Sequence, residues 1–156
     1  VRVVHTGGAR ATRPSGRRFG ELVHACLALV PLAAGEAEVQ GVVDVVGRSL
    51  GATEAEASAA SAAVLAALSH PRLEAARRAS EVRREATIIE HLADGTVVEG
   101  AVDLAYLGPD GWVVVEFKTD VELDGSLGAY AAQTSAYVRA IAAATGRPAR
   151  GVILRV

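Results

Sequence analysis

The chain has 156 residues, 51% of them hydrophobic and 4% aromatic, and a formal net charge of −2. That length suits one domain with a single hydrophobic core, and the apolar content excludes a disordered chain. The slightly acidic balance argues against a small domain that grips nucleic acid by charge alone, because such domains are usually strongly basic. A domain carried by a larger machine is under no such requirement.

No apolar run approaches the ~18 residues needed to span a bilayer. Val1-Arg2-Val3-Val4-His5 lacks the basic-then-apolar pattern of a secretory signal. The single cysteine, Cys26, makes neither an internal disulfide nor a multi-thiolate metal site. A reducing cytoplasm is the expected location.

Residues 1–16 hold Gly7-Gly8, Arg10, Arg13 and Pro14-Ser15-Gly16, and are expected to form a loop-rich linker or leading segment. A helix is predicted from Arg17 to Val30, with Phe19, Leu22, Val23, Cys26, Leu27 and Val30 on one apolar face. Pro31 ends it or begins an extension. Residues 32–51 are ambiguous: the Gly41-Val42-Val43-Asp44-Val45-Val46 run reads as a short strand or as part of a helical insertion. Thr53-Glu54-Ala55-Glu56 is a helix start with an N-cap threonine and acids in the first turn, and the alanine-rich stretch to Leu68 continues it. Ser69-His70-Pro71 breaks that helix, and a shorter one follows over 71–79.

The period changes from Glu81. Thr87-Ile88-Ile89 leads into Ala93-Asp94-Gly95-Thr96, where Asp-Gly signals a hairpin. A second strand is predicted from Thr96 to Leu107, a turn at Gly108-Pro109-Asp110-Gly111, and a third strand from Trp112 to Thr119. A loop over Leu123–Ser126 precedes a helix from Leu127 to Ala144. Gly146-Arg147-Pro148 ends that helix, and the segment from Gly151 to Val156 is a last strand. The order is αβββαβ.

The third strand carries the chemistry. Val113, Val115 and Phe117 alternate with Trp112, Val114, Glu116 and Lys118, so a carboxylate and an amine share one face of a strand covered on both sides. Burying either alone is costly, so each needs a partner, a metal ion or a solvated cleft. Asp103 lies late in the preceding strand. The short turn makes the two strands an antiparallel pair, with Asp103 across from Glu116. Two carboxylates held close favour a cation between them, and hard oxygen ligands suit Mg²⁺ or Mn²⁺. The competing reading is a structural cluster of cross-strand ion pairs.

On the first helix His24 falls roughly 130° from the centre of the apolar stripe, on its flank or outer side. It is either an ordinary surface histidine or one that reaches a site edge. Gln133 and Tyr137 sit one helical turn apart. They serve either as packing with a solvated amide or as hydrogen-bonding partners of a site. Arg72, Arg77, Arg78, Arg83 and Arg84 form either a solvated helix face or a phosphate-contacting rim. His5, His70 and His91 have no metal-ligand spacing, and no nucleotide-binding glycine loop is present.

Asp103, a twelve-residue spacer and Glu116-Phe117-Lys118-Thr119 resemble the signature of the PD-(D/E)XK nucleases. Three further segments resemble the RecB-like branch: Gly100-Ala101-Val102-Asp103, Gln133-Thr134-Ser135-Ala136-Tyr137 and Gly20-Glu21-Leu22-Val23-His24. The proline of the superfamily name is absent, since Val102 precedes Asp103. Glu85 resembles a further acidic position of the family.

The resemblance implies an α/β (α+β) restriction-endonuclease-like core, a mixed sheet with a three-strand meander flanked by helices. The nuclease domain would cover 17–156, with 32–80 as a helical insertion. Asp103, Glu116 and Lys118 would be catalytic. His24, Asp103, Glu116 and the Phe117 backbone carbonyl would hold Mg²⁺ or Mn²⁺. Gln133 and Tyr137 would contact DNA or support the metal site. The expected activity is hydrolysis of DNA, single-stranded DNA in particular, for repair or recombination, with a helicase motor as partner in the same chain or complex. Some relatives hold an iron–sulfur cluster on four cysteines, which one cysteine cannot do. The alternative is a catalytically inactive nuclease-fold module for DNA binding or assembly.

Overall fold

The computed structural model describes residues 1–7, 13–91, 94–119 and 127–156. The loop expected at Leu123–Ser126 and parts of the leading segment, Gly8 and Arg10 among them, lie outside the described residues. Among the described residues the elements are β1 (Arg2–His5), α1 (Arg17–Leu29), α2 (Glu36–Leu50), α3 (Glu54–Leu68), α4 (Pro71–Arg78), β2 (Val82–His91), β3 (Val97–Gly108), β4 (Gly111–Lys118), α5 (Leu127–Thr145) and β5 (Ala149–Arg155). The strands form one sheet in the order β1-β5-β4-β3-β2. Within it, β2, β3 and β4 are the antiparallel meander, while β4–β5 and β1–β5 run parallel. This is the mixed α/β, restriction-endonuclease-like architecture expected from the sequence.

Helix boundaries follow local chemistry. The Thr53 hydroxyl accepts the Glu56 amide at 3.2 Å, and the Glu56 carboxylate accepts the Thr53 amide at 2.8 Å, closing a capping box at α3. The ambiguous 32–51 segment contains α2. Val39, Val43 and Gly47, four apart, are buried along it, while Val45 is exposed. Burial at helical spacing outweighs the strand preference of its valines.

Two cores cover the sheet. Helices α1 to α4 pack on one face around Leu22, Val23, Val64, Leu104, Val115 and Phe117. Helix α5 covers the other, where Tyr137 and Ile141 meet Val102, Trp112 and Val114. The alternation read in β4 is therefore the observed one. Arg2–His5 of the leading segment add the edge strand β1, from Arg2 beside Val152 to His5 beside Arg155.

One irregularity in the sheet positions the site. Val102 belongs to the α5 core and Leu104 to the opposite one, although residues two apart on a strand normally share a face. Strand β2 changes sides likewise between Val82 and Ile88. Arg84 pairs with Leu104 and Ala86 with Val102, which sets Glu85 opposite Asp103 with no inserted residue. Glu85 has φ of 48°, a left-handed backbone that a glutamate seldom adopts. Both strands thus turn over at the level of Glu85 and Asp103.

Candidate active site

The β3–β4 ladder runs from Gly108–Gly111 to Leu104–Val115. One step further the same register sets Asp103 opposite Glu116. There the Asp103 carboxylate, not a backbone carbonyl, accepts the Phe117 amide at 2.7 Å. The Asp103 backbone amide favours the ionised Glu116 carboxylate. Asp103 thus satisfies a backbone donor on the opposite strand where the strands part.

Glu116 is only 4% exposed, and its Oε1 has no hydrogen-bond partner among the described residues. Burial, followed by the charge of Asp103, pushes its carboxyl up to about 8, against the pull of Lys118 and His24. A buried carboxylate oxygen without a donor, next to a second carboxylate, is an arrangement that a cation relieves.

His24 projects from the flank of α1 toward the sheet, one of the two placements that the helical spacing allowed. Its Nδ1 lies 3.4 Å from Asp103 Oδ1, and its ring meets Phe117 edge-on at 6.5 Å. His24, Asp103 and Glu116 therefore share one end of the sheet. Their chemistry, two carboxylates and an imidazole, fits a divalent cation, although no three acidic, histidine or cysteine side chains among the described residues form a ready-made cage.

Lys118 leaves the α5 face of β4, and its Nζ stands 4.7 Å over the Tyr130 ring. That cation–π contact holds the amine beside the acids. Tyr130 is a residue of the site that sequence reasoning missed. The signal for its role was its position three residues before Gln133 and seven before Tyr137.

Gln133 Nε2 donates to the Tyr137 hydroxyl at 2.8 Å. The Tyr137 hydroxyl is shifted up, first by burial, while the charges of Glu116 and Asp103 add to that shift, so it faces the same site. Tyr137 also accounts for Gly100. A Cβ at position 100 would lie 2.8 Å from Tyr137 Cε1 and Cζ and nearer still to its hydroxyl. Glu85 completes the group. Burial raises its carboxyl, Asp103 raises it further, and His24 opposes the shift.

The arginine run divides. Arg84 donates to the Leu27 and Val30 carbonyls, the latter at 2.7 Å, and so caps the end of α1 that carries His24. Arg77 donates to the Leu68 carbonyl at 3.1 Å and to the Leu32 carbonyl at 3.0 Å. Arg84 serves a helix end, and Arg77 a helix end and the turn between α1 and α2, neither a solvated face nor a phosphate rim.

Paired acids and a lysine where a mixed sheet parts, under flanking helices, define the class of restriction-endonuclease-like phosphodiesterases. The family model of the PD-(D/E)XK nuclease superfamily matches residues 2–156, and the chain belongs to that superfamily. Its members are generally metal-dependent nucleases. No curated protein matches the chain. Among the described residues no helix is long and apolar enough to cross a membrane.

Proposed function

We propose that this protein is a Mg²⁺- or Mn²⁺-dependent deoxyribonuclease that hydrolyses single-stranded DNA as the nuclease unit of a cytoplasmic helicase–nuclease in repair or recombination. Residues 17–156 would be the catalytic domain, with 32–80 as a helical insertion. The observation that carries the reading is the buried Glu116 carboxylate, with an oxygen lacking a donor, opposite Asp103 at the parting of β3 and β4.

In this reading Asp103, Glu116, His24 and the Phe117 carbonyl hold the metal. When bound, the metal supplies an acidified water and offsets charge on the scissile phosphate. A bound cation would let Asp103 and Glu116 both be ionised, where Glu116 alone holds its proton. Lys118, steadied over Tyr130, would orient the attacking water or neutralise charge that develops in the transition state. Gln133 and Tyr137 act as one hydrogen-bonded unit that lines the strand's path. The Arg84 cap holds the last turn of α1, so His24 stays in register with Asp103. The RecB-like motifs at Gly20–His24 and Gln133–Tyr137 support the helicase setting.

Thermal melting with and without Mn²⁺ tests the metal site. A ligand that binds only the native state raises its stability. Wild type should melt higher with Mn²⁺, and Asp103→Asn should lose most of that shift. Equal shifts in both proteins would refute the assignment.

A further inference from the structure

Two concave surfaces meet at the end of the sheet away from the acids. One, of about 590 Å³, is lined by Arg2, Arg72, Arg139 and Arg150. The other, of about 560 Å³, is lined by Arg72, Arg78 and Arg150. Arg72 and Arg150 belong to both, so the hollows form one trough with five arginines. No acidic side chain is among its described lining residues, although the exposed Asp110 stands 3.7 Å from Arg150 at its rim. On a chain of net charge −2 this is a strong local asymmetry.

The trough wraps the exposed start of β5. Strand β1 joins only at Val152, so Ala149, Arg150 and Gly151 pair with β4 alone, with Val1 against Gly151. Arg72 and Arg78 reach it from α4, and Arg139 from α5 on the opposite face. Arg150 lies opposite Val113, three residues before Glu116 on β4. At ~3.3 Å per residue the trough begins about 10 Å from the acids. That is roughly three nucleotide rises of ~3.4 Å.

We infer that this trough binds the phosphate backbone of a nucleic acid strand and holds it on the protein away from the point of cleavage. All five cations are arginines, whose planar fork matches phosphate oxygens in pairs. The trough would offset the chain's net negative charge locally, where a strand must be gripped without base readout. The inference rests on nucleic acid being the substrate class, though not on which residues cleave it. A surface for an acidic protein would have the same sign of charge, and it is the competing outcome of the test.

The test is fluorescence anisotropy of a labelled oligothymidylate of about 20 nucleotides, long enough to span an ordinary single-strand site. EDTA is present to stop cleavage. The full chain is compared with Arg72→Gln/Arg150→Gln and with Asp110→Asn. Asp110 lies 3.7 Å from Arg150 in an exposed pair. The double variant should bind about tenfold more weakly, and the slope of log K against log salt should fall by about 1.4, near 0.7 per lost phosphate contact. Asp110→Asn should bind more tightly, a gain that misfolding cannot produce. Unchanged affinity and slope in the double variant would overturn the proposal. So would loss of polyglutamate binding with DNA binding intact, which marks an acidic-protein surface. Because this binding assay needs no metal, trough variants that lose DNA beside a wild type that fails to cleave in a separate assay with Mg²⁺ or Mn²⁺ would sink the nuclease reading alone.

Discussion

The Tyr137 side chain occupies the space into which any side chain at Gly100 would project. The two lie on α5 and β3, and the contact sets how closely that helix approaches the strand bearing Asp103. Gly100→Ala should therefore cost about 1–3 kcal/mol through overpacking. In a Tyr137→Leu background the same change should cost less, because the two residues are coupled. Urea unfolding of the four proteins measures this. Additive costs would mean that the contact does not set the spacing.

Glu116 makes the metal-free protein sensitive to alkali. Its folded pKa, about 8, lies above the ordinary value of 4.5. Between those values the native state holds a proton that the unfolded state has released, so stability falls as pH rises and levels off above about 8. Wild type should lose on the order of 4 kcal/mol between pH about 5 and pH about 8.5, while Glu116→Gln should lose much less. Metal binding needs the ionised carboxylate, so the Mn²⁺ melting shift should grow over the same window. Melting curves in EDTA and in Mn²⁺ across this range check both signs.

Glu85 sits at φ of 48° opposite Asp103. Glycine adopts that conformation without a Cβ penalty, so Glu85→Gly should stabilise the fold by about 1 kcal/mol. Because the Glu85 carboxyl interacts with Asp103 and His24, the same variant should bind Mn²⁺ less tightly. Greater stability together with an unchanged Mn²⁺ midpoint would mean that the backbone turn alone matters.

Arg84→Ala removes two charge-assisted hydrogen bonds to the end of α1. The expected loss is about 2 kcal/mol. The His24 ring signals should shift in NMR spectra, since the cap lies one turn beyond that residue. Unmoved His24 resonances would separate the cap from the site.

The sequence made the meander, the β4 alternation and the α3 cap legible, because each depends on neighbours within a few residues. Asp103, Glu116 and Lys118 were legible for the same reason: one short turn brings them together. Helical spacing left His24 either a surface histidine or one at a site edge, and only the family resemblance singled it out; the structure brings it to Asp103. Strand β1 was not legible, since its four residues pair with a segment almost the whole chain away. The turnover at Glu85 was hidden too, because nothing about a glutamate predicts a left-handed backbone. Arg84 looked like one of a basic run; only the position of the α1 carbonyls distinguishes it from Arg78.

The central claim is tested most directly by single-turnover cleavage of end-labelled single-stranded DNA, in Mg²⁺ or Mn²⁺ and in EDTA, by wild type and Lys118→Ala. The account predicts cleavage that needs the metal and falls at least about a hundredfold in the variant, with its melting curve intact. Near-normal, metal-dependent cleavage by Lys118→Ala would contradict it.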